Sequence, residues 1–288
     1  MKLSTRYLLP VIAALGLATP ATAAPGIWEI SDSDSAIWLF GSFHMLPEGA
    51  EWRTVLFDTV LADADKVVFE TDVSAAAMAR VGADAFARGI YVDGTMLTDV
   101  IGDDVEAKLR QQAGVIGLQL GPVLAMKPWM ATNAITVAAL AGKGYDQQGV
   151  EFVLQPELAP ARMAFLETGD EQLDVLAGAP ENEQIAMLES TLDEIPTLSK
   201  QMDKMLGSWA DGTPERLAVM FKMEMGGYES AFLDRLLYAR NRNWMAPLKT
   251  MLADNQENLV VVGAAHLIGD SSVLDLLEKA GYEVERIQ

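Results

Sequence analysis

Two histidines occur in the whole 288-residue chain, and both sit in the same local pattern. One stretch reads Ile37-Trp38-Leu39-Phe40-Gly41-Ser42-Phe43-His44, the other Leu259-Val260-Val261-Val262-Gly263-Ala264-Ala265-His266. Each is a short apolar run followed by Gly-x-x-His. A run of about four to eight β-branched or aromatic residues ended by glycine predicts a buried strand of the parallel kind. Glycine lets the chain turn where a side chain would clash. Each histidine then falls just past the C-terminal end of its strand, where open α/β sheets gather their ligands. A single histidine so placed would read as a satisfied core residue. Two in one context, with no third anywhere, point to function. Neutral imidazole is a common metal ligand and general base. The expectation is therefore that the chain ends fold back beside each other and share a metal ion.

The flanking segments support an α/β fold. Trp28-Glu29-Ile30 and Ile37 to Phe40 flank Asp32-Ser33-Asp34-Ser35, which reads as a hairpin turn. Helical spacing runs from about Arg53 to Ala64, and Lys66-Val67-Val68-Phe69-Glu70 predicts a buried strand with Glu70 at its end. The C-terminus repeats the plan. After His266, Gly269 to Ser272 offers helix caps, Val273, Leu276, Leu277 and Ala280 make an apolar face, and Tyr282 to Ile287 alternates as a final strand. The predicted sheet is thus built from two strand-GxxH-helix-strand units at the chain ends. A large helical insertion, about 74–255, lies between them. Within it Asp103–Gln112, Leu124–Leu140, Glu181–Leu206, Pro214–Met225 and Tyr228–Leu252 carry helical periodicity. Arg162 to Glu167 reads as a short strand that rejoins the sheet. Met202, Met205, Met220, Met223 and Met225 form a cluster that predicts either adaptable packing or a plastic groove for varied peptides.

Composition narrows the compartment and the partners. Lys2 and Arg6, the apolar Tyr7–Ala18 run and Ala21-Thr22-Ala23 match a secretory leader over residues 1–24, with cleavage near Ala23 or Ala24. A mature domain, 25–288, in the periplasm or outside the cell is expected. No second apolar span is read, so no membrane span is expected in the mature chain. The absence of cysteine excludes disulfides, zinc-thiolate sites and a thiol nucleophile. The formal charge is −20. Such a surface repels nucleic acid and attracts cations. HExxH, G-x-S-x-G and phosphate-loop motifs are absent.

With these residues in view, the chain resembles the TraB/GumN/TIKI family, in particular its bacterial GumN-like branch. The likeness runs over nearly all of the mature chain. It rests on the two GxxH stretches, Val67-Val68-Phe69-Glu70, Asp93-Gly94-Thr95-Met96-Leu97, Lys127-Pro128-Trp129 and Gly144-Tyr145-Asp146. It also rests on Leu166-Glu167-Thr168 with Glu171-Gln172, Trp209-Ala210-Asp211-Gly212, and Arg240-Asn241 with Trp244. The family's two GxxH motifs, glutamate and arginine map onto His44, His266, Glu70 and Arg240. The resemblance implies an exported metallopeptidase-like hydrolase acting on a peptide or protein. Manganese or cobalt is the implied ion, with zinc as an alternative. It also implies a fold similar to erythromycin esterases and haem-binding ChaN proteins. A non-catalytic periplasmic protein that holds a metal or haem through the same histidines is the rival reading.

Chemically, two imidazoles and one carboxylate make a three-ligand site with room for water. His44, His266 and Glu70 are the expected set, with Glu70 alternatively the general base. Arg240 is expected to stabilise an oxyanion or hold a substrate carboxylate. Glu167 either joins the site or orients a ligand. Tyr145 and Asp146 are candidate substrate contacts, and so is Lys127, although Lys127-Pro128 also reads as a helix start.

Overall fold

The computed structural model describes residues 23–32, 35–146, 149–225 and 230–288. Residues 1–22 of the expected leader, Ser33 and Asp34 of the expected turn, and the expected helix start at Tyr228 lie outside the described residues.

Among the described residues eight strands form: β1 (Ile27–Ser31), β2 (Ala36–Ser42), β3 (Leu46–Pro47), β4 (Lys66–Phe69), β5 (Tyr145–Asp146), β6 (Met163–Phe165), β7 (Asn258–Gly263) and β8 (Glu283–Arg286). Six make one sheet in the order β6-β4-β7-β2-β1-β8, and β3 pairs with β5 in a two-residue ribbon. The neighbours β6-β4, β4-β7 and β7-β2 are parallel, while β2-β1 and β1-β8 are antiparallel. The fold class is α/β, as the sequence predicts.

Helices cover both faces, so the central strands carry runs of consecutive apolar residues rather than alternating ones. All six residues of β7 are buried. Phe40, Phe69, Leu259 and Val261 face one core with Phe57 of α1 (Val55–Asp63). Leu39, Val68, Val260 and Val262 face the other, against Trp244, Leu248 and Leu252.

The insertion folds mostly as helices, with β5 and β6 between them. Its first half holds α2 (Ala75–Gly89), α3 (Leu97–Val100), α4 (Asp103–Ile116), α5 (Leu120–Val123), α6 (Pro128–Ala141) and α7 (Val150–Leu154). Its second half holds α8 (Gly169–Ala177), α9 (Glu181–Glu194), α10 (Leu198–Ala210), α11 (Pro214–Glu224), α12 (Ser230–Leu233) and α13 (Ala239–Ala253), and α14 (Val273–Lys279) follows β7. Leu109, Ile135, Leu188 and Leu192 pack α4, α6 and α9 into a core of their own.

Three local expectations are adjusted. The helix expected over 181–206 is two, because Pro196 supplies no N–H and restrains the residue before it. The helix expected from Leu124 begins at Pro128, where proline takes the first turn. The two ends of the chain are not equivalent in the sheet. β4 is an inner parallel strand, whereas β8 is an antiparallel edge strand. No helix among the described residues is long and apolar enough to cross a membrane.

Candidate functional site

Strand β7, the first of the C-terminal unit, enters between β2 and β4 of the N-terminal unit. The register sets Ser42 opposite Gly263 and Phe69 opposite Val261, so three strands end at nearly one level. His44 follows β2 by two residues, Glu70 follows β4 by one, and His266 lies in the 3₁₀ turn Ala264–Leu267 after β7. β6 brings Glu167 alongside, its N–H donating to the Glu70 carbonyl at 2.9 Å.

The two motif glycines serve a different end from a sharp turn. Neither has positive φ. What each supplies is room. A Cβ on Gly41 would stand 3.1 Å from the Ala264 Cα, where the first motif presses against the second. A Cβ on Gly263 would stand 3.2 Å from Glu70 Oε1, 3.5 Å from His44 Nε2 and 3.6 Å from His266 Cδ2. Both rings and the carboxylate therefore converge on one point beside Gly263.

The environments of the two rings are opposed. His266 is buried and lies against the Trp244 ring, centroids 4.3 Å apart. Asn241 gives its amide N–H to the Ser271 carbonyl, which turns its Oδ1 toward His266 Nδ1 at 2.5 Å. Nδ1 then carries the proton and Nε2 keeps its lone pair. Burial, reinforced by the Arg240 charge, depresses the His266 pKa to about 3, so the ring is neutral. The His44 side chain is 61% exposed, yet its Nδ1 meets the buried carboxylate of Glu151 at 3.0 Å. The Glu151 charge raises the His44 pKa to about 9, against burial of the ring's inner edge. Water on the open side screens that pull. Here too Nδ1–H donates and Nε2 faces the cavity. Ser42 also hydrogen-bonds Glu151, whose Oε2 is buried with no partner among the described residues.

Behind the rings, Arg240 is clamped. Its Nε donates to both oxygens of Glu167 at 3.0 Å and one terminal nitrogen bridges Glu70 at 2.6 Å and Glu167 at 2.9 Å. The other terminal nitrogen reaches the Leu236 carbonyl at 3.1 Å and His266 Nε2 at 3.2 Å. All five N–H groups of the guanidinium thus have partners. Leu236 belongs to a π-helical turn, Asp234–Tyr238, directly before α13. Such turns recur at functional positions. Glu70 takes the Gly263 N–H on Oε1 at 2.6 Å and Gln172 on Oε2 at 2.9 Å. Burial would raise its pKa; His266, His44, Arg240 and the Gly263 N–H outweigh burial and hold it well below the carboxylate range. Trp244 donates to Glu167 at 2.8 Å.

The donor chemistry fits a divalent ion in part. Both Nδ1 atoms are pinned by acceptors, the arrangement that orients metal-binding histidines. His266 Nε2 and Glu70 Oε1 lie 3.7 Å apart. However, Arg240 contacts His266 Nε2, and no ready-made group of three His, Asp or Glu side chains for an ion is found among the described residues. An ion here would need Arg240 to withdraw from that nitrogen and His44 to close in.

A cavity of about 310 Å³ opens in front of the rings, lined on its polar side by Ser42, His44, Arg240 and His266. Glu70 and Glu167 stand behind this lining. Neither Tyr145 nor Lys127 lines it, and the Asp146 side chain lies outside what the structure describes. The Tyr145 hydroxyl donates to Asp203 at 2.6 Å, with β5 tied to β3 just after His44. Lys127 caps the start of α6. Glu151 was not legible as a site residue. The one available signal was an acid inside the apolar run Val150-Glu151-Phe152-Val153-Leu154.

Among known proteins, no curated protein and no solved structure matches the chain. The model of the TraB/PrgY/gumN family matches residues 26–286, almost the full length. The match spans both Gly-x-x-His strand ends and every residue of the cleft between them, and the chain belongs to the TraB/PrgY/gumN family.

Proposed function

We propose that the chain is an exported hydrolase that cleaves peptide bonds with a divalent ion, manganese or cobalt first and zinc next, held between His44 and His266. One observation carries this reading. Both imidazoles have Nδ1 tied to an acceptor, and both turn Nε2 toward one cleft at the ends of parallel strands. Glu70 is the nearest carboxylate. Its depressed pKa makes it a poor proton acceptor, so it serves better as ligand or charge partner than as base. When bound, such an ion would make its water more acidic and polarise the scissile carbonyl.

The chain's own residues supply the rest. Glu167 and Glu70 fix the Arg240 guanidinium at the cleft, where its positive charge opposes the negative charge that develops on a carbonyl oxygen. Asn241 and Glu151 fix the ring orientations. The apolar walls keep bulk water from the reacting bond. A fold like that of erythromycin esterases and ChaN proteins, and a periplasmic or extracellular place, belong to the same reading.

The contact between Arg240 and His266 Nε2 favours a second reading, in which no ion is needed and charged His44 acts as the acid. Divergent imidazole pKa values suit such a division of labour. Elemental analysis of the purified protein beside His44→Ala and His266→Ala separates the two, with peptide cleavage followed by mass spectrometry and folding by circular dichroism. About one equivalent of metal in the wild type, lost with turnover in both folded variants, is the expected result. Unchanged metal content in both variants defeats the shared ion. Cleavage that survives chelation supports the ion-free acid. A haem absorption band, or bound metal without cleavage, points to a binding protein instead.

A further inference from the structure

Beyond the imidazoles, the same cavity runs into a wall of Met45, Met202, Met205, Phe221, Leu236 and Ile268. All six are half-buried, so large apolar side chains from five separate segments are left partly wet around one space. α10 and α11 pack on each other and supply much of this wall. Among the described residues the wall carries no charged side chain; the ionisable groups of the lining are the two histidines and Arg240. Arg240 has every N–H donor occupied, so it offers no ready anchor for a carboxylate. The volume, about 310 Å³, is at the small end of ligand pockets, the scale of one large side chain with its flanking backbone.

We infer that this cavity is the specificity pocket for a large, uncharged, apolar side chain next to the bond presented to His44 and His266. The methionines set its tolerance. Unbranched, polarisable thioethers repack around aliphatic and aromatic shapes alike, so the pocket selects for apolar bulk rather than for one residue. The inference rests on the hydrolase reading for the position of the bond, but binding itself can be measured without turnover.

Titration calorimetry with N-acetyl amino-acid amides tests it, using the glycine, alanine, norvaline, norleucine, phenylalanine, aspartate and lysine forms. Affinity should rise about fourfold per added methylene along the aliphatic series. Phenylalanine should bind with the tightest aliphatic probes, and the aspartate and lysine forms at least tenfold more weakly. Met202→Glu should weaken the apolar probes at least tenfold; should it fail to fold, Phe221→Ala should weaken phenylalanine and norleucine selectively. A flat series from glycine to phenylalanine, or charged forms that bind as well as apolar ones, overturns the inference. Graded apolar binding without cleavage of any peptide upholds the pocket and rejects the hydrolase. Cleavage with a flat binding series upholds the hydrolase and rejects the pocket.

Discussion

Replacing Glu151 by glutamine keeps the shape of the side chain and removes the charge that faces His44. The carboxylate is buried, accepts from His44 Nδ1 at 3.0 Å and from Ser42, and is the leading cause of the raised His44 pKa. With glutamine the amide oxygen can still accept from Nδ1–H, so ring orientation is retained while the electrostatic pull is lost. The titration midpoint of His44, read by NMR of the ring protons, should fall from near 9 toward the ordinary imidazole value. Removing an outer partner of this kind typically costs about 10- to 100-fold in metal affinity or activity. An unchanged midpoint in a folded variant would show that Glu151 does not govern the ring. His266 is the internal control, because its proton is held off by burial and its Nδ1 partner is the uncharged Asn241.

At the level of elements, the cleft exists because three strand ends meet with no side chain on the one between them. Gly263→Ala tests this directly. Its Cβ would enter the space shared by Glu70, His44 and His266, at 3.2 to 3.6 Å from each. The contacts are tight rather than impossible, and the backbone φ of −53° suits alanine. We expect a folded protein with a small drop in melting temperature and at least a tenfold loss of metal binding and cleavage. Loss of folding instead would mean that Gly263 is needed by the sheet and not by the site. The sequence carried much of this arrangement. β2, β4 and β7 were legible because helices on both faces force continuous apolar runs, and their ends named His44, Glu70 and His266. The insertion of β7 between β2 and β4 was not legible, since strand order is set by pairing across some 200 residues and leaves no local mark. Glu151 was missed for a similar reason. It acts only because Gly149, the N-cap of α7, comes so close to His44 that a Cβ there would collide with the His44 carbonyl oxygen, and that approach is tertiary. Glu167 was placed at a strand end, but its grip on Arg240 and Trp244 needed α13 to pass behind β6.

For the molecule as a whole, the site and the surface charge respond to pH in ways that can be separated. Glu70, held near 2 in the fold against an ordinary 4.5, contributes stability above pH 4.5 that is lost as pH falls toward 2. His266 is held near 3 against 6.5, so the unfolded chain takes up its proton first, and stability falls as pH drops from 6.5 toward 3. His44 has the opposite sign. Raised from 6.5 to about 9, it contributes fully below 6.5 and loses that contribution as pH climbs through 9. Acidification also discharges a chain of net −20 and relieves self-repulsion, which masks the two acid-side losses. The alkaline side is cleaner, since deprotonating His44 there only adds to an existing excess of negative charge. Urea midpoints for wild type and His44→Gln, measured from pH 6 to 9.5, isolate the effect because the surface charge is common to both. The wild type should lose more stability over this interval, by a modest margin because the ring is 61% exposed and water screens its ion pair. Parallel curves would mean that the Glu151–His44 pair carries no net charge interaction in solution. A divalent ion requires the neutral ring, so its affinity should rise across this interval, with about one proton released per ion bound near pH 7.5.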